Sequence, residues 1–260
     1  MISECTFEAL VTCRGNELLH AQGWPDNAEV ATDARPGWVN VFARFTGDEL
    51  AALLMNLSAG NGLTQLQRQR LNAAALKLRG TDATMVIYGD RYVAPEIPGS
   101  NARINFPFAG EWLNDAEIAT VRECITRAVL AICRRVLNDS RVIRQALTPL
   151  AVPRLFERQT RHFRGVVDES DDENWLDGDE PDEVKRVLDA VLTRGARYCA
   201  FRVTIVHELT ETIVAWTPMT DVLRVPGEPP RRWFDRAGLR DAVKQARAEV
   251  QSIQSATNKD

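Results

Sequence analysis

Three capping boxes constrain this chain more than any other feature. In Thr46-Gly-Asp-Glu49, Thr64-Gln-Leu-Gln67 and Asn114-Asp-Ala-Glu117, a short polar residue stands three positions before a Glu or Gln. At that spacing the first side chain takes the N3 amide and the N3 side chain returns to the cap amide, so a helix starts there. The first predicted helix runs to about Gly60 and the second to about Gly80, glycines being suited to the left-handed position that ends a helix. The third carries Ile118, Val121, Ile125, Val129, Ile132 and Val136 at steps of three and four, down to Asn138-Asp139. A fourth begins near Pro181, acceptable at a first helical position, and bears Val184, Val187, Leu188, Val191 and Leu192 before Gly195. A fifth follows Asp235 and reaches about Ser255, with Leu239, Val243, Val250 and Ile253 inward.

Strands are read from alternation. Residues 197–207 carry the best case, with Cys199, Phe201, Val203, Ile205 and His207 alternating against Ala200, Arg202, Thr204, Val206 and Glu208; Thr212 to Trp216 continues or returns it as a hairpin. Residues 38–45, 84–88 and 103–107 are shorter candidates, and residues 5–13 read as a half-buried strand with Phe7, Ala9, Val11 and Cys13 on one face. Between the third and fourth helices the chain reads as long and irregular. Strands neighbour strands instead of alternating singly with helices, which predicts an α+β fold with a largely antiparallel sheet. The expected organisation is two β-β-α lobes: an N-terminal lobe over 1–165, an acidic linker over 166–183, and a C-terminal lobe over 184–260 that packs separately or against the first.

A chain of 260 residues with 45% hydrophobic and 26% charged residues is ordinary for a globular protein and excludes a disordered or collagen-like one. No stretch approaches the roughly 18 apolar residues of a membrane span, and the start lacks the basic and apolar regions of a signal peptide, so the expectation is a cytoplasmic protein away from the membrane. Five widely spaced cysteines with no CxxC pair predict free thiols and no structural zinc, and no cofactor motif is present.

Charge is concentrated in two adjacent segments. From Arg134 to Arg164 stand eight arginines (Arg134, Arg135, Arg141, Arg144, Arg154, Arg158, Arg161 and Arg164) against Asp139 and Glu157, for a net +6. From Asp168 to Glu183 stand ten acids and no base. Guanidinium forks grip phosphates bidentately, and Phe156 and Phe163 interleave as stacking rings, so the arginine segment predicts contact with a polyanion, RNA or DNA. The bland reading is a solvated face whose arginines favour a helix C-terminus or pair with nearby acids. The pI near 5.6 argues against a generic nucleic-acid binder. The acidic run reads as a solvated linker that shields or positions the arginine surface, with Trp175 as an anchor for a protein partner. Arg231, Arg232 and Trp233, in the Pro-rich PGEPPRRW stretch, are further partner-binding candidates.

Catalytic signatures are thin. HELTE at 207–211 is not HExxH, and no GxSxG, Walker lysine loop or GxGxxG turn occurs. A hydrolase with an unrecognised site would place its chemistry at His207, Glu208 and Glu211. The glycine-bearing turn before Thr64 and the Gln- and Arg-rich start of the following helix resemble a helix-turn-helix only in residue type. The reading that follows is a non-catalytic interaction subunit of a larger assembly, touching a polyanion through its arginine segment, with a protein-only adaptor as the alternative.

Overall fold

The computed structural model describes residues 4–32, 38–88, 102–150, 154–170, 176, 180–229, 232–233 and 236–257. In chain order the elements are α1 (Glu4–Ala21), β1 (Glu29–Thr32), β2 (Val39–Thr46), α2 (Gly47–Ala59), α3 (Gln65–Leu78), β3 (Thr84–Ile87) and β4 (Ile104–Asn105). After a short 3-10 turn at Ala109–Glu111 come α4 (Asp115–Leu147), β5 (Arg154–Gln159), β6 (Phe163–Ser170), α5 (Pro181–Arg194), β7 (Arg197–His207), β8 (Thr212–Arg224) and α6 (Arg236–Thr257). Two four-stranded antiparallel sheets, ordered β1-β2-β3-β4 and β5-β6-β7-β8, make this an α+β protein. The chain divides into two compact units, Val11–Arg141 around the first sheet and Met1–Leu10 with Val142–Asp260 around the second.

The N-terminal unit is built where the capping boxes predict. Thr46 accepts from Glu49 N and Glu49 accepts from Thr46 N, and the pairs Thr64/Gln67 and Asn114/Glu117 do the same. On β2, Val39, Val41, Ala43 and Phe45 are buried while Phe42, Arg44 and Thr46 are exposed, a strict alternation that leaves one sheet face to the core and one open. Leu50, Leu53 and Leu54 of α2 and Leu71 and Leu78 of α3 are fully buried. Gly15 of α1 is obligatory: a Cβ there would stand 2.3 Å from Cβ of Val30 on β1.

Residues 5–13 are helical, not extended. Thr6, Phe7, Leu10, Val11, Gly15 and Leu19 are buried, a three- and four-residue spacing that continues past the window in which alternation was legible. Leu10, which an alternating strand would point outward, is fully buried. The third predicted helix also runs on past Asn138-Asp139 to Leu147. These polar residues do not stop it because Asp139 is buried against Arg14 Nε (2.8 Å) and Arg135 Nε (3.2 Å), and Ser140 Oγ donates to Leu137 O.

In the C-terminal unit the stretch expected to be irregular contains a hairpin. Thr160 N donates to Phe163 O at 2.8 Å and closes β5 onto β6. Its mixed arginine and apolar sequence alternates poorly, and a bulge between Arg154 and Phe156 breaks the period further. The strand at 197–207 pairs with β6 on one side and β8 on the other. One face carries the cluster Val167, Cys199, Phe201, Val203 and Met219, and Ile205 and Ala215 pack with Ala242 and Ala246 of α6. Gly195 ends α5 at φ 62, as its position after Leu192 predicts.

Candidate nucleic-acid interface

The register across the C-terminal sheet decides which side chains share its second face. Glu157, Val166, Thr204 and Trp216 form one row across the four strands; Gln159, Arg164, Val206 and Ile213 form the next; Asp168, Arg202 and Pro218 flank them on the other side. Residues two apart on a strand share a face, so Arg164, Arg202 and Trp216 look the same way. The Trp216 ring is 54% exposed and the Arg202 guanidinium stands over it, 5.5 Å from the ring centroid. That is a cation–π pair held at the surface, with a flat apolar ring and a fixed positive charge side by side.

The β5-β6 hairpin adds charge at the edge of the sheet, with Arg158, opposite Gly165, on the Ile205 side and not on the Trp216 side. Arg158 on β5 and Arg161 in the turn are exposed, and among the described residues neither meets a carboxylate within ion-pair distance. Arg164 is half-buried between Glu157 Oε1 at 3.9 Å and Glu208 Oε1 at 3.6 Å, so its charge is largely compensated. Arg154 opens β5 opposite Asp168, its side chain lying outside the described residues. The hairpin thus gathers Arg154, Arg158, Arg161 and Arg164. The remaining four candidates stay on α4: Arg134 is exposed, Arg135 holds Asp139, and Arg141 donates to Asn138 Oδ1 at 3.4 Å. Arg144 lies over the Phe7 ring, 4.1 Å from its centroid.

Trp175 and Arg231 lie outside the described residues. Arg232 is exposed, 3.6 Å from Glu228 Oε1. Trp233 is half-buried against the Val167–Phe201 cluster, with Arg224 5.2 Å above its ring. The hydrolytic candidates do not converge: His207 is bonded through Nδ1 to Thr210 Oγ1 at 2.9 Å, Glu208 faces Arg164, and Glu211 is exposed in the β7-β8 turn.

Sequence reasoning missed Glu169, the residue that orders the sheet's inner face. Its fully buried carboxylate accepts from Leu150 N (2.6 Å), Arg197 Nη2 (3.2 Å) and Arg224 Nη1 (3.0 Å). Arg197 also donates to the carbonyls of Gln145 and Thr148 at the end of α4. Burial, with Glu169 close by, pushes the neighbouring Cys199 thiol up to about 12, so it stays protonated and inert. Glu169 stands within the acidic run, where nothing in composition separates it from solvated neighbours.

Among the described residues no helix is long and apolar enough to cross a membrane, and no three His, Cys, Asp or Glu side chains gather as a metal site. Residues 4–143 match the model of the N-terminal domain of YubG, and residues 153–259 match that of the C-terminal domain of YubG. No solved structure matches the chain.

Proposed function

The chain belongs to the YubG family, carrying both domains in order, and for it we propose the role of a non-catalytic subunit that binds nucleic acid through the C-terminal sheet. The observation that carries this reading is the exposed Trp216 ring under Arg202, on the same face as Arg164, with Arg161 exposed in the turn at the end of the β5-β6 hairpin. Arginines neutralise phosphates and release counterions, while an exposed indole stacks on any base, so binding is strong in low salt and reads little sequence. The role places the protein in the cytoplasm, where nucleic acid is available, as part of a larger assembly.

The test is fluorescence anisotropy with a labelled oligonucleotide over a salt series. Wild-type affinity is expected to fall steeply as salt rises, and Arg202→Glu with Trp216→Ala to weaken it about tenfold or more while flattening the salt slope. Both residues are exposed, so folding is expected to change little. Unchanged affinity in the double variant, or no binding by the wild type in low salt, overturns the reading.

A protein-only adaptor is the second reading, favoured by one feature. β8 is an edge strand, and it and the turn before it expose Ile213 (64%) and Leu209 (81%). Ile213→Asp would then release a protein partner, with the wild type's own nucleic-acid affinity already at background.

A further inference from the structure

The helices of the N-terminal unit enclose a cleft that the nucleic-acid reading does not use. It is bounded by the end of α1, the last turn of α2 with the loop that follows, and the middle of α4, and it holds about 550 Å³, within the range of small-molecule sites. Every residue lining it belongs to this one unit. Cys124, Ala128 and Ala131 stand at steps of four and three along α4 and so share one side of that helix, and Leu57 and Leu63 line the cleft with them. Burial pushes the Cys124 thiol up, which keeps it protonated. Among the described residues Arg127 is the one charged residue of the lining, and its charge is compensated: Nη2 meets Glu123 Oε1 at 2.6 Å and Nη1 donates to Gly62 O at 3.5 Å. An ion entering such a cleft would lose water without meeting an uncompensated opposite charge, so the lining favours an uncharged occupant.

The polar side chains of the cleft are carboxamides. Gln22 follows α1, Asn56 lies in the last turn of α2 and Asn61 in the loop after it, and among the described residues none of the three side chains has a hydrogen-bond partner. The backbone around them is occupied instead: Gln22 N donates to Leu19 O at 3.0 Å, Gly60 N to Leu57 O at 3.1 Å, and Gly60 O accepts from Arg68 Nη2 at 3.3 Å. Asn56 owes its place to a glycine. Gly23 has φ 76, and a Cβ there would stand 2.3 Å from Asn56 Nδ2, so only a bare backbone leaves room for this amide. A carboxamide presents a donor and an acceptor in one plane, the pattern by which Asn and Gln read the edge of a base.

From this arrangement we infer that the cleft binds an uncharged, flat heteroaromatic molecule of the nucleobase class, as a free base or nucleoside, with its ring against Leu57, Leu63 and Ala128 and its polar edge on Asn56 and Asn61. The apolar walls remove the ring from water, and the carboxamides supply the directional contacts that fix its orientation. The compensated arginine gives no preference for a phosphate. The inference stands on residues of the N-terminal unit alone and is independent of the reading of the C-terminal sheet.

The experiment titrates the full chain with adenosine, guanosine, cytidine and uridine and follows the side-chain amide signals of Asn and Gln by NMR. At least one nucleoside is expected to shift the Asn56 and Asn61 signals to saturation; no shift with any of them at millimolar concentration overturns the site. Asn56→Leu with Asn61→Leu keeps the branched shape, removes the amides, and is expected to weaken binding about tenfold or more. Equal or tighter binding by that variant would reveal an unselective apolar surface and overturns the inference. Ala131→Trp, at an exposed position on the cleft, fills it from the rim; it is expected to abolish binding and leave the thermal unfolding temperature unchanged, which separates a blocked site from a lost fold. Adenosine monophosphate that binds more tightly than adenosine overturns the uncharged class. Arg202→Glu with Trp216→Ala is run beside these and is expected to bind the nucleoside like the wild type, whatever it does to oligonucleotide affinity; nucleoside binding lost in that variant would place the ligand on the C-terminal sheet and overturn the cleft.

Discussion

The two sheets bury their inner faces in different ways. The N-terminal sheet is made of short strands, four residues in β1 and β3 and two in β4, and its buried positions are apolar: Val30, Val39, Val41, Ala43, Phe45, Met85 and Ile87. The C-terminal sheet has strands of eleven and thirteen residues and carries a carboxylate inside, Glu169, clasped by arginines from β7 and β8. The first is assembled from elements whose ends are written locally, by capping boxes. The second depends on partners 28 and 55 residues apart in the chain. Its specificity is electrostatic as well as hydrophobic, and a defect there spreads along three strands at once.

Removing Glu169 is the strongest way to test that contrast. Glu169→Ala leaves Arg197 and Arg224, each only 18% exposed, facing one another without their counter-charge. Breaking a buried ion pair from one side costs about 3–5 kcal/mol. Urea unfolding with residue-resolved hydrogen exchange is expected to show the loss in β6, β7 and β8, with the amides of β2 and β3 keeping their protection. Equal loss in both units would erase the distinction drawn above.

The corresponding break in the N-terminal unit is steric. In Gly15→Ala the new Cβ would lie 2.3 Å from Val30 Cβ, so either α1 or β1 must move. Overpacking of this kind costs about 1–3 kcal/mol, against which the better helix propensity of alanine returns at most about 1 kcal/mol. A net loss of about 1 kcal/mol or more in thermal unfolding is expected, with Val30→Ala in the same chain recovering part of it. A stabilised Gly15→Ala would mean that α1 packs less closely on β1 than these distances show.

How much of this was legible follows from the range of each signal. The starts of α2, α3 and α4 and the whole of β7 could be read because capping and alternation are properties of a few consecutive residues. Residues 5–13 were misread because Phe7, Ala9, Val11 and Cys13 satisfy a period of two by chance, and only Leu10 and Leu19 decide for the helix. The β5-β6 hairpin was invisible because a bulge and four arginines hide its alternation. Of the candidate interface, Arg158, Arg161 and Arg164 could be named from charge alone. Trp216 and Arg202 could not, because sharing a face depends on the register between strands and on which side the core occupies. Glu169 was hidden among nine other acids of its run, distinguished only by arginines far along the chain.

The smallest effect lies at the start of α4, where a local cap and a distant charge meet. Glu117 is the N3 residue of the third capping box, accepting from Asn114 N at 2.9 Å, and both its oxygens also receive Lys77 Nζ at 2.7 Å. Burial pushes its carboxyl up, but the Lys77 ammonium and the backbone amide outweigh this and hold it below the usual glutamate range. A carboxylate whose value is lower folded than unfolded contributes its full stability above the unfolded value, and that contribution drains away as pH falls toward the folded one. Acidification below the usual glutamate range is therefore expected to destabilise the N-terminal unit in part through this residue. Glu117→Gln should remove that share of the slope while costing about 1 kcal/mol at neutral pH, the scale of a lost cap. The check is thermal unfolding of wild type and variant across the acidic range: curves that converge at low pH place the effect at Glu117, and parallel curves assign the slope to other carboxylates. Convergence would also sharpen the contrast between the sheets, since here a local motif tolerates loss of its charge at a fraction of the cost expected at Glu169.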